Sequence, residues 1–169
     1  MGWGRTFVSG GFFKLHRRIS CLRVRCKMNM FLFRDYALRF VGTNYKWGGD
    51  DPLDGYDCSG FAQELLYAFN GHPKPGTDLT AQAMYYELEM RGEVSDAFEI
   101  GALAFYGKGK DKISHVGIII DANQIIEAGG GGSRTTDKKS AARDNAYIRL
   151  RPLKRRKDLI AIMLPNYKM

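Results

Sequence analysis

A chain of 169 residues, 44% hydrophobic and 26% charged, can bury one self-sufficient core, and three cysteines are too few for a disulfide scaffold. No apolar run approaches the ~18 residues that a membrane-crossing helix requires. The net charge of +8 suggests nucleic acid until it is located: residues 1–34 carry eight basic and no acidic side chains, leaving eighteen of each sign in the remainder.

Seven of those eight basic residues belong to an N-terminal arm, residues 1–29, ahead of a domain spanning 30–169. In the arm Phe12, Leu15, Ile19 and Leu22 recur at helical spacing among Lys14, Arg17, Arg18 and Arg25, a pattern suited to a cationic helix lying on an anionic surface. A neutral domain and a basic run, Lys14–Lys27, with no interleaved aromatics argue against a nucleic-acid partner. A secretory signal fits poorly, because the basic cluster follows the apolar patch and no small-residue cleavage site appears. The alternative is a native start at Met28 or Met30, with the arm an upstream extension. Cys21 and Cys26 have neither a convincing disulfide spacing nor a second pair to complete a metal site.

From Met30 the pattern is regular. Phe31–Val41 reads as a short amphipathic helix stopped by Gly42. Asn44–Gly49 and Asp50–Tyr56, with their glycines and Pro52, read as loop. A second helix is predicted over Cys58–Phe69, with Asp57 as N-cap, Phe61, Leu65 and Phe69 on one stripe, and Asn70-Gly71 as terminator. A third runs roughly from Leu79 to Arg91, closed by Gly92. Strands are expected at Ala102–Tyr106, His115–Asp121, Gln124–Ala128, Ala146–Pro152 and Leu159–Leu164, with a long loop from Gly129 to Asn145. Helices first and strands second imply an α+β domain, its helices packed on an antiparallel sheet of five or six strands.

Cys58 would stand in the first turn of the second helix, where unpaired backbone N–H groups and the positive dipole end favour a thiolate. A single cysteine can equally be a small buried hydrophobe. His115 opens an apolar strand and can be a satisfied sheet-edge residue. It is nevertheless the only histidine on a defined element, since His16 lies in the arm and His72 in a Pro-rich turn. If Cys58 needs a base, His115 is the choice. Glu127, alone among Ile125, Ile126 and Ala128, wants a partner. It would share a face with His115 only across a connection of odd length, and a straight register would oppose it to Ile119, so contact requires a bulge or strong shear. Otherwise it faces outward. Asp57 as a simple cap and Gly60 as a position where the helix packs closely against the sheet are structural readings.

Together, Tyr45-Lys46-Trp47-Gly48-Gly49, Gly55-Tyr56-Asp57-Cys58-Ser59-Gly60-Phe61, His115-Val116-Gly117-Ile118 and Ile126-Glu127-Ala128 resemble the NlpC-type bacterial cell-wall cysteine peptidases. Thr80-Ala81-Gln82 and Gly101–Phe105 match weaker signals, and the likeness covers about Met30 to Leu164. The resemblance implies a reduced papain-like fold, with Cys58 as nucleophile, His115 as general base and acid, and Glu127 as the third polar residue. Tyr45, Trp47, Asp57 and Ser59 are implied near the substrate or its oxyanion. The implied substrate is the peptidoglycan stem peptide, cut between D-glutamate and a diamino acid at the cell wall, with no metal or organic cofactor. The enzyme would be exported or delivered by a phage as a lysin or tail-associated hydrolase. The alternative is a non-catalytic wall-binding or phage tail module. Two positions depart from the family: Glu127 stands where His, Asn or Gln is usual, and Gly101-Ala102-Leu103 stands for Gly-Asp-Leu.

Overall fold

The computed structural model describes Met1 and residues 29–71, 78–93 and 98–167. The amphipathic pattern of the arm, Cys21, Cys26, His16 and His72 lie outside the described residues. Four helices precede or interrupt a five-stranded antiparallel sheet, the α+β arrangement that the element pattern implies.

Helix α1 spans Met30–Leu38, capped by Asn29, whose side chain accepts from the N–H groups of Phe31 and Leu32. It ends three residues before the predicted last residue, Val41: Arg39–Gly42 form turns, and Phe40 instead packs its ring 5.5 Å from Phe61. Strands β1 (Asp50–Asp51) and β2 (Gly55–Tyr56) form a two-residue ladder inside the segment read as loop. Helix α2 spans Cys58–Ala68 and buries Phe61 and Leu65 of the predicted stripe. It terminates where Asn70 adopts the left-handed conformation (φ 53°) that asparagine tolerates. Helix α3, Ala81–Met90, starts at Thr80, whose hydroxyl accepts from the Ala83 N–H, and is closed by Gly92 at φ 68°.

The sheet contains β3 (Leu103–Gly107), β4 (Ile113–Asp121), β5 (Gln124–Gly129), β6 (Tyr147–Pro152) and β7 (Leu159–Met163), in the order β6-β5-β4-β3-β7. All five predicted strands are present, and the sheet has no sixth among the described residues. Helix α4, Lys138–Asp144, occupies part of the predicted long loop, and a 3-10 turn, Leu153–Arg155, links β6 towards β7. Helices α2 and α3 pack against β4, and α2 also against β5. The main core joins Phe33, Phe61, Leu65, Met84 and Leu88 to Phe105, Val116, Ile118, Ile126 and Ile148. A smaller cluster of Ala102, Ala104, Tyr106, Ile119, Ile125, Leu153 and Ile162 forms apart from it. No helix among the described residues is long and apolar enough to cross a membrane.

Candidate active site

Cys58 is the first residue of α2, and its surroundings are arranged by Asp57. The Asp57 Oδ1 accepts from the Gly60 N–H at 2.8 Å and from the Ser59 hydroxyl at 2.9 Å, while Oδ2 accepts from the Gly48 N–H at 3.0 Å. Both carboxylate oxygens are thus engaged, and Asp57 binds the helix start to the Trp47–Gly48 turn. Gly60 completes this junction. A Cβ there would lie 2.1 Å from the Gly49 carbonyl oxygen, so the close approach expected of Gly60 is made to the loop backbone and not to the sheet. The N–H groups of the first turn have no acceptor within the helix, and that of Gly60 is taken by Asp57.

His115 and Glu127 meet because β4 carries an extra residue. Ile118 pairs with Ile126 and Ile119 with Ile125, but Asp121 pairs with Gln124, so the strand bulges at Ile120 ahead of a two-residue turn, Ala122-Asn123. Extending the inner register sets Gly117 opposite Glu127, two residues away from the Ile119 that a straight register would give, and His115 opposite Gly129. His115 and Glu127 are therefore diagonal neighbours on one face, and the imidazole Nε2 lies 2.7 Å from Glu127 Oε2. Gly129 makes room for the carboxylate, and Gly117 lets the Ile125 and Glu127 side chains lie across it. A Cβ at Gly129 would stand 2.9 Å from Glu127 Oε1, and one at Gly117 would stand 3.5 Å from the Glu127 Cβ.

Both side chains are buried, His115 9% and Glu127 7% exposed. Burial by itself pushes the imidazole towards neutrality. Hydrogen bonding and charge from Cys58 and then Glu127 outweigh it, and the His115 pKa is raised to about 9. With Nε2 engaged by Glu127, Nδ1 is the ring nitrogen left for the thiol.

Cys58, His115 and Glu127 open together onto a cleft of about 520 Å³. Tyr45 and Trp47 line it, as do Asp57 and Ser59, so every residue singled out from the sequence borders one cavity. Tyr45 is held flat against Gly131, where a Cβ would fall 2.2 Å from the ring. Burial, and then the charges of Cys58 and Asp57, push its phenol well above the ordinary range, so it remains a proton donor. Trp47 is 54% exposed, its backbone N–H donating to the Thr135 carbonyl at 2.7 Å.

Sequence reasoning missed part of the lining. Ala128 and Gly129, the last residues of β5, border the cleft together with Gly130 and Gly131, whose path beyond the strand is set by the Asp137/Ser140 capping box of α4 and by the Thr135 hydroxyl donating to Asp144. Gln82 lines it too, and its side chain bridges α3 to β4 by accepting from the Ile113 N–H at 2.7 Å. Arg156 stands at the edge, forked onto Asp158 and 4.9 Å above the Tyr106 ring. Nothing in the run Lys154–Lys157 distinguishes Arg156 from its neighbours. Gln82 belongs to a motif visible in the sequence, whereas the placement of Gly130 and Gly131 depends on α4.

The chain is similar in sequence and in fold to known proteins. The chain is 38% identical over 96 residues to the probable peptidoglycan endopeptidase LytE of Bacillus subtilis, covering 57% of this chain and 26% of LytE. It is 34% identical over 107 residues to the bifunctional muramidase/DL-endopeptidase CwlT of the same organism, covering 62% of this chain and 30% of CwlT. The chain thus spans about a quarter to a third of the length of these relatives. In fold it is similar to the crystal structure of the NlpC/p60 domain of peptidoglycan hydrolase SagA, with a TM-score of 0.54 and 21% identity over 80% of this chain and 97% of that one. Residues 42–151 match the NlpC/P60 family, enclosing Cys58, His115 and Glu127 along with both glycine-rich turns, and the chain belongs to that family.

Proposed function

We propose that this protein is a cysteine endopeptidase that hydrolyses peptidoglycan stem peptides between D-glutamate and a diamino acid. The observation that carries the reading is the imidazole of His115, hydrogen-bonded through Nε2 to Glu127 and kept protonated beside the helix-start thiol of Cys58, in an open cleft. The names of LytE as a peptidoglycan endopeptidase and of CwlT as a DL-endopeptidase support the substrate class.

The Cys58 thiolate attacks the scissile carbonyl carbon, forming a C–S bond and placing negative charge on the carbonyl oxygen. The backbone N–H of Cys58 and the Tyr45 hydroxyl donate to that oxyanion. As the C–N bond breaks, His115 gives its proton to the leaving amine. Water then loses a proton to His115 and attacks the thioester, breaking the C–S bond and restoring the ion pair. Asp57 and Ser59 fix the first turn of α2, and Trp47 offers an exposed apolar wall to the peptide. The enzyme reaches the wall from outside the cytoplasm, by export or by phage delivery.

Digestion of a defined peptidoglycan followed by mass spectrometry tests both parts. Fragments with a newly exposed diamino-acid N-terminus are expected, and cleavage between D-alanines would overturn the bond assignment. Cys58→Ala is expected to abolish turnover with an unchanged circular dichroism spectrum, and an active Cys58→Ala enzyme would remove the catalytic reading altogether.

A further inference from the structure

Glu127 places a carboxylate where the resemblance implies a neutral or imidazole side chain. A buried carboxylate facing only an imidazole is open to protonation, and a protonated Glu127 no longer holds the imidazolium. The charged or titratable groups around this pair are Cys58 from α2, Tyr106 from β3, Arg151 from β6, and Arg156 and Asp158 from the segment leading to β7. Arg156 is forked onto Asp158, so its charge is largely matched there.

Arg151 differs. Its Nε lies 3.5 Å from Glu127 Oε1, on the carboxylate oxygen that His115 does not use, and it has no other acidic partner among the described residues. Across β5 and β6 the residue directly opposite Glu127 is Arg149, while Arg151 pairs with Ile125. Arg149 is nevertheless committed elsewhere: its guanidinium lies 3.7 Å over the Tyr147 ring and donates to the carbonyls of Gly129 and Asn145. The carboxylate is therefore held diagonally on both sides, by His115 from β4 and by Arg151 from β6.

We propose that Arg151 is a positioning residue that keeps Glu127 ionised and turned towards His115, so that the third catalytic position works as an anion. This rests on the assignment of Cys58 and His115 as the reacting pair. A merely structural arginine would act equally whether residue 127 carried a charge or not, and the two cases separate in a double-mutant cycle.

The readout is the rate of Cys58 alkylation by iodoacetamide as a function of pH, measured on the full chain and located by peptide mass spectrometry because Cys21 and Cys26 also react. Arg151→Met is expected to move the acid limb up by about one pH unit, as loss of a cation beside a partly shielded carboxylate should. At pH values below the wild-type limb the alkylation rate should fall roughly ten-fold, and in the Glu127→Gln background the same change should produce no such effect. Arg151→Lys should recover most of the wild-type profile. Equal effects in both backgrounds, or no effect in either, would overturn the proposal. Should Arg151→Met fail to fold, the comparison of Arg151→Lys with Arg151→Gln decides in the same way. An ordinary thiol profile for Cys58 in the wild-type protein would instead refute the catalytic pairing itself.

Discussion

At the scale of single residues, the proposed chemistry depends on an imidazole that remains protonated although it is buried. Desolvation opposes that state, and hydrogen bonding and charge from Cys58 and then Glu127 overcome it. A group whose pKa is higher in the folded chain than in the unfolded one stabilises the fold fully below its unfolded value. For His115 that contribution is present below pH 6.5 and is lost as the pH rises through about 9. Urea unfolding at successive pH values should therefore show stability declining across this window, and His115→Gln should flatten the decline. Glu127→Gln keeps a hydrogen-bond acceptor but removes the charge. The alkaline limb of kcat/KM should then move down by about one pH unit, with the fold intact. An unchanged limb would mean that the carboxylate charge has no part in holding the imidazolium.

At the scale of elements, the site is a junction between a helix start and a strand pair, each held by contacts that a sequence shows only in part. Asp57 as N-cap was legible because an acidic residue before a helical stripe has one common use. That its second oxygen holds the Gly48 N–H was not, since this contact joins residues nine apart through a turn of its own. Asp57→Ala should cost ~1–2 kcal/mol in urea unfolding and slow Cys58 alkylation, because the cap and the turn are lost together. The β4–β5 hairpin was legible as two strands. Its bulge at Ile120 was recognised only as a requirement of any His115–Glu127 contact, since local composition does not reveal where an extra residue will settle. Gly129→Ala would put a methyl group against Glu127 Oε1, so it should lower turnover while leaving the melting temperature nearly unchanged. Helix α4 went unread because Lys138–Asp144 has no apolar stripe, although Asp137 and Ser140 at capping-box spacing were available as a signal.

For the whole molecule, one continuous core between the helices and the sheet sets the distance between Cys58 and His115. Phe61, fully buried with its ring 5.5 Å from Phe40 and 5.9 Å from Tyr56, anchors the start of α2, which begins at Cys58. Phe61→Ala should cost ~3–5 kcal/mol of stability, read as a lowered urea midpoint. The sequence alone determined the types and order of the main elements and pointed to Cys58, His115 and Glu127, because periodicity, caps and breakers act between residues a few positions apart. Only the tertiary structure decided that Gly60 meets the Gly49 backbone, that Ala128–Gly131 and Arg156 border the cleft, and that Arg151 rather than Arg149 reaches Glu127. These contacts follow from strand register and close packing, which depend on how distant segments fit together and leave no mark on local composition.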